Sequence, residues 1–88
     1  MNTVVATVES IQGVCPFHKI GDQISFDGHH INGYFCASAM VTLMPNFYAL
    51  RYDAQLPFMK SGRCTLACPD PVNLVTFRIT LVPEPDHP

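Results

Sequence analysis

The sequence predicts an α+β fold in which a small antiparallel sheet carries helices packed on one face. Three observations lead to this prediction. Apolar and polar residues alternate over residues 3–11 and again over residues 75–81, which is the period-two pattern of half-buried strands. Residues 34–52 instead repeat their apolar side chains at helical spacing. With one short strand after the first, the predicted order of elements is β-β-α-α-β.

The first part of the chain predicts two strands joined by a loop. The first strand covers residues 3–11, and Gly13 ends its alternating pattern. Gly21 followed by Asp22 indicates a turn, since glycine adopts backbone angles that other residues avoid. A short second strand is predicted over residues 23–27, where an isoleucine and a phenylalanine share one side. The loop is therefore a strand-to-strand connection.

The middle of the chain predicts two helices. One apolar face is formed by Cys36, Met40, Leu43, Phe47 and Leu50. The opposite side is apolar as well, so the helices should be buried on more than one side. Pro45 lacks a backbone donor and disfavours helical geometry in the residue before it. We therefore expect a break there and a second helix over residues 45–52.

The region after the helices predicts a long connection and then a strand. Residues 53–71 contain prolines and a glycine without clear periodicity, and they carry Cys64 and Cys68. Connections of this length are usually functional or contain a short element of their own. The third strand, over residues 75–81, has the cleanest alternation in the chain. It is long enough to pair with the first strand.

Length and composition predict one domain that associates with itself. The 88 residues leave no room for a second core, so we expect a single domain over residues 1–82 and a proline-rich tail over residues 83–88, extended or disordered. The chain is 48% hydrophobic and only 14% charged, against about 25% charged in typical soluble domains. A monomer would therefore expose much apolar surface, and we expect a homo-oligomer.

Charge and segment length exclude two classes of partner. The five lysine and arginine residues are scattered and the net charge is −2, which argues against nucleic acid. The longest apolar run, residues 34–50, is interrupted and shorter than the ~20 residues that span a bilayer. The first residues lack the basic start of a secretory signal, so we expect a cytoplasmic protein. In a reducing compartment the four cysteines are thiols, metal ligands or a nucleophile rather than disulfides.

The densest chemistry lies in the loop after the first strand. Cys15 and His18 form a Cys-x-x-His pair, whose spacing lets both side chains bind one Zn²⁺ or Fe ion. A tetrahedral Cys₃His set is completed either by Cys36 with Cys68 or by Cys64 with Cys68. The leading hypothesis is thus a small cytoplasmic protein with a Zn or Fe site and an accessory role.

Three other interpretations stay open. One is a metal-free oligomeric module that binds a small apolar ligand or a partner protein. Another is a thiol-dependent enzyme, in which His18 or Lys19 activates a cysteine and Asp22 or Asp70 orients the imidazole. The plainest is that the cysteines are buried core thiols and that His18 is a hydrogen-bonded loop residue. The sequence does not choose among them.

A set of motifs extends over nearly the whole chain. They are Gly13-x-Cys15-x-x-His18-Lys19-x-Gly21-Asp22, Gly33-x-x-Cys36-Ala37-Ser38-Ala39, Pro45 followed by Tyr48-Ala49-Leu50-Arg51-Tyr52, Pro57, and Cys68-Pro69-Asp70-x-x-Asn73. In these motifs the chain resembles a family of small bacterial and archaeal proteins that has no assigned activity, substrate or cofactor. The resemblance implies that the positions to watch are Cys15, His18, Lys19, Asp22, Cys36, Cys68 and Asp70. Cys64 falls outside the motifs, which favours Cys36 over Cys64 as the remaining ligand.

Overall fold

The chain forms an antiparallel sheet with a helix against one face. The computed structural model describes residues 1–57, 59 and 64–84, and within these ranges there are five strands and one helix. The elements are β1 (Asn2–Ile11), β2 (Gln23–Phe26), β3 (Ile31–Asn32), α1 (Ala37–Arg51), β4 (Cys64–Ala67) and β5 (Val75–Pro83). The strand order across the sheet is β3-β2-β1-β5-β4, and all neighbours are antiparallel.

β1 and β5 form the centre of the sheet and pair along almost their whole lengths. Their register runs from Asn2 opposite Pro83 to Ile11 opposite Val75. The last residues of β1 therefore lie beside the first residues of β5. β3 runs toward this same end of the sheet, because it is antiparallel to β2 and β2 is antiparallel to β1. Three connecting segments are brought together in this way.

The hydrophobic core lies between α1 and one face of the sheet. The sheet contributes Val4, Ala6, Val8, Ile24, Phe26, Leu66, Val75, Phe77 and Ile79, and the helix contributes Ala39, Leu43, Phe47 and Leu50. Fully burying one large apolar side chain contributes roughly 1.5–3 kcal/mol. This layer is therefore the main source of stability, and it fixes the position of α1 on the sheet.

The predicted break at Pro45 is wrong, because α1 continues through it. A proline inside a helix costs about 3 kcal/mol. Phe47 and Leu50, which follow it, are both fully buried, and together they return roughly 3–6 kcal/mol. The Asn46 side-chain amide also donates to the Thr42 carbonyl oxygen at 2.8 Å, which supports the same turn. Burial therefore outweighs the proline.

The predicted α+β class with the order β-β-α-α-β is wrong as well. The described chain is mostly β, with a single helix and the order β-β-β-α-β-β. β3 has two residues, too few for alternation to be recognised, and the four residues of β4 lie in a segment whose prolines and glycine indicate a connection. β4 lies inside the predicted long connection. It forms because Cys64 and its neighbours pair with β5, where Cys64 stands opposite Ile79.

The side of α1 that faces away from the sheet is exposed in the single chain. Val41 is 71% exposed and Tyr48 is 50% exposed. The homo-oligomer in which this side would be covered stays a prediction. None of the helical structure in the described residues is both long and apolar enough to cross a membrane.

The first part of the predicted tail over residues 83–88 continues the fold. Pro83 is the last residue of β5, and the Glu84 carboxylate accepts a hydrogen bond from Arg51 Nη1 at 2.9 Å. Residues 85–88 lie outside the described residues. The division into one domain over residues 1–82 and a tail stays a prediction.

Candidate functional site

Three segments meet where β1 ends and β5 begins. They are the loop of residues 12–22, the segment of residues 33–36 before α1 and the loop of residues 68–74, and together we call them the loop end. These segments carry the four predicted ligands Cys15, His18, Cys36 and Cys68. The pairing of β1 with β5 brings the first and third segments together, and the direction of β3 brings the second.

Backbone contacts fasten the first segment to the third. The Gln12 N–H donates to the Leu74 carbonyl oxygen at 2.7 Å, and the Val14 N–H donates to Asn73 Oδ1 at 3.0 Å. Gly13 between them has a φ of +85°, and a Cβ there would lie 2.6 Å from Asn73 Oδ1. Glycine is therefore needed both for its backbone angle and for the close approach of the two loops.

Lys19 and Asp22 close a tight turn in the first loop. The Lys19 N–H donates to Asp22 Oδ2 at 2.9 Å, and the Asp22 N–H donates to the Lys19 carbonyl oxygen at 3.0 Å. The same carboxylate oxygen lies 4.0 Å from His18 Nδ1, which is too far for a hydrogen bond. Asp22 therefore acts on the imidazole through its charge alone.

His18 is buried although its ring forms no hydrogen bond with the described residues. Its side chain is 1% exposed, and its ring meets Phe77 and Tyr34 edge-on, with centroids 5.5 Å and 6.0 Å apart. Among the described residues neither Nδ1 nor Nε2 has a hydrogen-bond partner. An unpaired buried polar group costs about 1–3 kcal/mol. The predicted hydrogen-bonded loop histidine is thus not what the described residues form.

Burial lowers the pKa of His18 below its ordinary value of 6.5, and the Asp22 carboxylate opposes this shift only in part. The imidazole is therefore neutral at neutral pH. Neutral imidazole is the form that binds metal ions, because a ring nitrogen then offers its lone pair. The buried ring is in the correct protonation state to act as a ligand.

Cys36 is the N-cap residue of α1. Its Sγ accepts a hydrogen bond from the Ala39 N–H at 3.4 Å, in the position that a serine or aspartate oxygen commonly takes. The first turn of α1 carries no acidic residue. The sulfur thus lies at the positive end of the helix dipole, where negative charge on a metal-bound thiolate is stabilised.

Cys68 is buried, and its thiol bonds to the backbone of its own loop. The Val75 N–H donates to Cys68 Sγ at 3.2 Å, and Sγ donates to the Asn73 carbonyl oxygen at 3.7 Å. The Asp70 carboxylate accepts the N–H groups of Asn73 and Val72 at 3.0 Å and 2.9 Å, and these bonds lower the pKa of its carboxyl. Asp70 therefore shapes the loop that presents Cys68.

The four predicted ligands line one cavity of about 110 Å³ at the loop end, together with apolar side chains and Ser38, Asp70 and Asn73. The alternative ligand Cys64 is elsewhere. It lies on β4, lines a different cavity with Leu50 and Ile79, and has a pKa that burial raises. The set with Cys36 is therefore the one that shares a single cavity.

The donors surround this cavity without converging on one point. Among the described residues no three histidine, cysteine, aspartate or glutamate side chains lie close enough together to hold a metal ion. The imidazole of His18 also has no thiol partner among them. Both the metal site and the thiol-dependent enzyme stay predictions, and a metal ion would require side chains to move within the cavity.

Two residues of the site were not among the predicted ligands or catalytic groups. Asn73 fastens the two loops, and Ser38 lines the cavity at the start of α1. The spacing Asp70-x-x-Asn73 after a proline is typical of a side-chain-capped turn, which is a signal for the loop but not for its contact with Val14. That contact depends on the pairing of distant strands.

Comparison of the chain with protein-family models, with curated proteins and with solved structures finds no match. The family membership that the motifs suggest therefore stays a prediction. The proposed function therefore rests on the chemistry of the loop end.

Proposed function

We propose that the protein binds one Zn²⁺ or Fe ion per chain with ligands drawn from Cys15, His18, Cys36 and Cys68, and that it has an accessory role in the cytoplasm. The observation that carries this proposal is His18, whose buried ring has no hydrogen-bond partner in residues 1–57, 59 and 64–84 and lines the same cavity as three thiols. Cysteine sulfur and neutral imidazole nitrogen are the donors that both metals accept.

The energetics favour convergence of these donors on an ion. Binding of structural Zn²⁺ is worth about 10–16 kcal/mol in small metal-dependent domains. Off-rotamer changes of a few side chains cost about 0.5–1.5 kcal/mol each, and coordination also removes the penalty of the unpaired imidazole. The N–H groups that already donate to the sulfurs of Cys36 and Cys68 would support the bound thiolates.

Elemental analysis of the full chain, purified under reducing conditions without chelator, tests the proposal. We expect about one zinc or iron per chain, and less than about 0.2 per chain would overturn it. Cys36→Ser is the sharpest variant, because serine keeps the helix cap and removes the soft ligand. We expect it to lose metal affinity by about 10-fold or more, whereas Cys64→Ala, outside the cavity, should keep it.

A metal-free binding module is the second candidate, and one observation favours it. The three segments of the loop end expose large apolar side chains, namely Val14, Phe17, Ile20, Tyr34, Phe35 and Val72. Such a surface is suited to a small apolar ligand, a partner protein or another copy in a homo-oligomer. Light scattering at low protein concentration tests the last of these, and a monomer would contradict it.

A further inference from the structure

The cavity at the loop end is much larger than one metal ion requires. Its volume is about 110 Å³. A single water molecule needs only about 10–15 Å³ by the same kind of measure, and an engineered protein cavity of about 150 Å³ holds a benzene molecule. Side chains that move inward to hold an ion would take up part of this space, and its exposed side, at Val14 and Phe17, is where a small organic molecule would fit beside the ion.

The donors reach the cavity from different directions. Cys15 and His18 come from the loop of residues 12–22, Cys36 from the start of α1, and Cys68 from the opposite loop. Structural zinc sites are closed by four protein ligands, whereas sites that act on other molecules keep one position open. A cavity of this size between the donors favours the open type.

The rest of the lining indicates the kind of molecule that fits. Val75 forms a buried apolar wall, while Val14 and Phe17 line the cavity and are 76% and 52% exposed. Asp70 is the acidic residue of the lining, and no lysine or arginine is among the described residues that line it. Bound thiolates would add further negative charge, so the cavity disfavours an anion and favours a neutral molecule with an apolar body.

We propose that the bound ion keeps one coordination position open, and that the cavity seats a small neutral molecule there, with a nitrogen or sulfur donor and an apolar body of about six non-hydrogen atoms. This inference rests on the proposed metal site. The molecule would bind through its donor atom to the metal and cover the exposed Val14 and Phe17 side chains.

The test uses the full chain loaded with Co²⁺, with imidazole as the probe at about pH 8.5, where imidazole is mostly neutral. Visible absorption reports the coordination of cobalt. We expect a saturable spectral change with imidazole, and at least 10-fold weaker binding of azide, which has similar access but is an anion. Cobalt content is measured on the same samples, so that binding is distinguished from removal of the metal.

Two leucine variants, which add similar side-chain volume, show where imidazole binds. Ser38→Leu places a larger side chain in the cavity and should weaken imidazole binding at least 10-fold while cobalt remains bound. Ala37→Leu, on the neighbouring exposed residue outside the cavity lining, should bind imidazole as the unmodified chain does. If the chain binds one cobalt but does not respond to imidazole, the open position is overturned and the metal site is not. The same holds if Ser38→Leu binds imidazole as tightly as the unmodified chain. Failure to take up zinc, iron and cobalt would overturn the metal site itself.

Discussion

The two ends of the sheet bury polar side chains in opposite ways. At the end where β1 begins and β5 finishes, Arg51 is 6% exposed, and its Nη1 donates to the Glu84 carboxylate at 2.9 Å and to the Asn2 carbonyl oxygen at 3.1 Å. Only its Nε lacks a partner among the described residues. At the loop end, His18 is equally buried, and neither of its ring nitrogens has a partner in the part of the chain that the structure describes.

This difference separates a structural cluster from a candidate ligand site. The Arg51 end satisfies its charges internally, and Asn2 adds hydrogen bonds to the Leu50 carbonyl oxygen and the Asp53 carboxylate at 3.0 Å and 2.7 Å. The loop end instead combines an unpaired imidazole with thiols and exposed apolar residues. Buried polar groups are nearly always paired, and a side chain whose polar atoms are all unpaired among the described residues, as in His18, is suited to a partner from outside the chain. The following changes should act on one end and spare the other.

The largest expected effect is stabilisation by zinc at the loop end. A ligand present at a thousand times its dissociation constant adds about 4 kcal/mol to the free energy of unfolding. Urea denaturation of the metal-free chain with and without zinc should therefore differ by about this amount. Cys36→Ser should lose most of the gain, and Cys64→Ala should retain it. Equal stabilisation of the unmodified chain and Cys36→Ser would contradict the proposed ligand set.

Asn2→Ala should damage only the opposite end. It removes one buried and one part-buried hydrogen bond, which should lower the free energy of unfolding by about 1–3 kcal/mol, while the Leu50 carbonyl oxygen keeps the Asp53 N–H as a donor. Urea denaturation measures the loss. Metal content per folded chain should stay unchanged, and a variant that folds but loses its metal would show that the two ends are coupled.

Gly13→Ala should cost about 1–3 kcal/mol in unfolding free energy and also weaken metal binding. The added Cβ meets Asn73 and forces the two loops of the loop end apart. Gly21→Ala is the matched control, because Gly21 also has a positive φ, +92°, but nothing lies within 4 Å of its added Cβ. We expect it to cost about 1–2 kcal/mol and to leave metal affinity intact. Equal metal affinities in the two variants would argue against the role of the Asn73 contact.

His18→Phe should lower the unfolding free energy of the metal-free chain by no more than about 0.5 kcal/mol, or raise it, although it alters a buried residue. An aromatic ring of similar shape keeps the packing against Phe77 and removes two unpaired polar atoms. Thermal and urea unfolding measure this difference. A loss of more than about 2 kcal/mol would mean that the imidazole has partners that stabilise the fold.

Acidification should destabilise the metal-free chain in two steps, an upper one from His18 and a lower one from hydrogen-bonded carboxylates that include Glu84 and, at the loop end, Asp70. The pKa of His18 is lowered in the folded chain, so the unfolded chain takes up a proton first, and stability falls as pH drops below 6.5. The hydrogen bonds from Arg51 and Thr3 lower the pKa of Glu84, so its contribution is present above 4.5 and is lost as pH falls below that value. Urea midpoints of the metal-free chain against pH should show both steps. His18→Phe should remove only the upper one.

The sequence predicted the long elements because their patterns are local. β1 and β5 alternate over enough residues to be recognised, whereas the Cys64–Ala67 strand exists only because β5 provides a pairing partner. The prediction at Pro45 was wrong because the burial of Phe47 and Leu50 outweighs the local cost of a proline. Helix propensity, which depends on the local sequence, does not include the free energy gained by burial.

Part of the candidate site could be predicted because its residues are close together in the sequence. Cys15 and His18 stand close together in the sequence, so their loop was identified directly. The presence of Cys68 at the same cavity depends on the pairing of β1 with β5, more than fifty residues apart in the chain, and the presence of Cys36 depends on the direction of β3. The motifs favoured Cys36 over Cys64 as the remaining ligand, whereas the burial of His18 against Phe77 and Tyr34 could not be predicted from the sequence.

X-ray absorption at the zinc edge of the full chain would show which atoms bind the metal. We expect two or three sulfur atoms at about 2.3 Å and a nitrogen at about 2.0–2.1 Å from the zinc. The sulfur contribution should fall in Cys36→Ser and remain in Cys64→Ala. A spectrum with only nitrogen and oxygen neighbours, or one that Cys36→Ser leaves unchanged, would contradict this expectation.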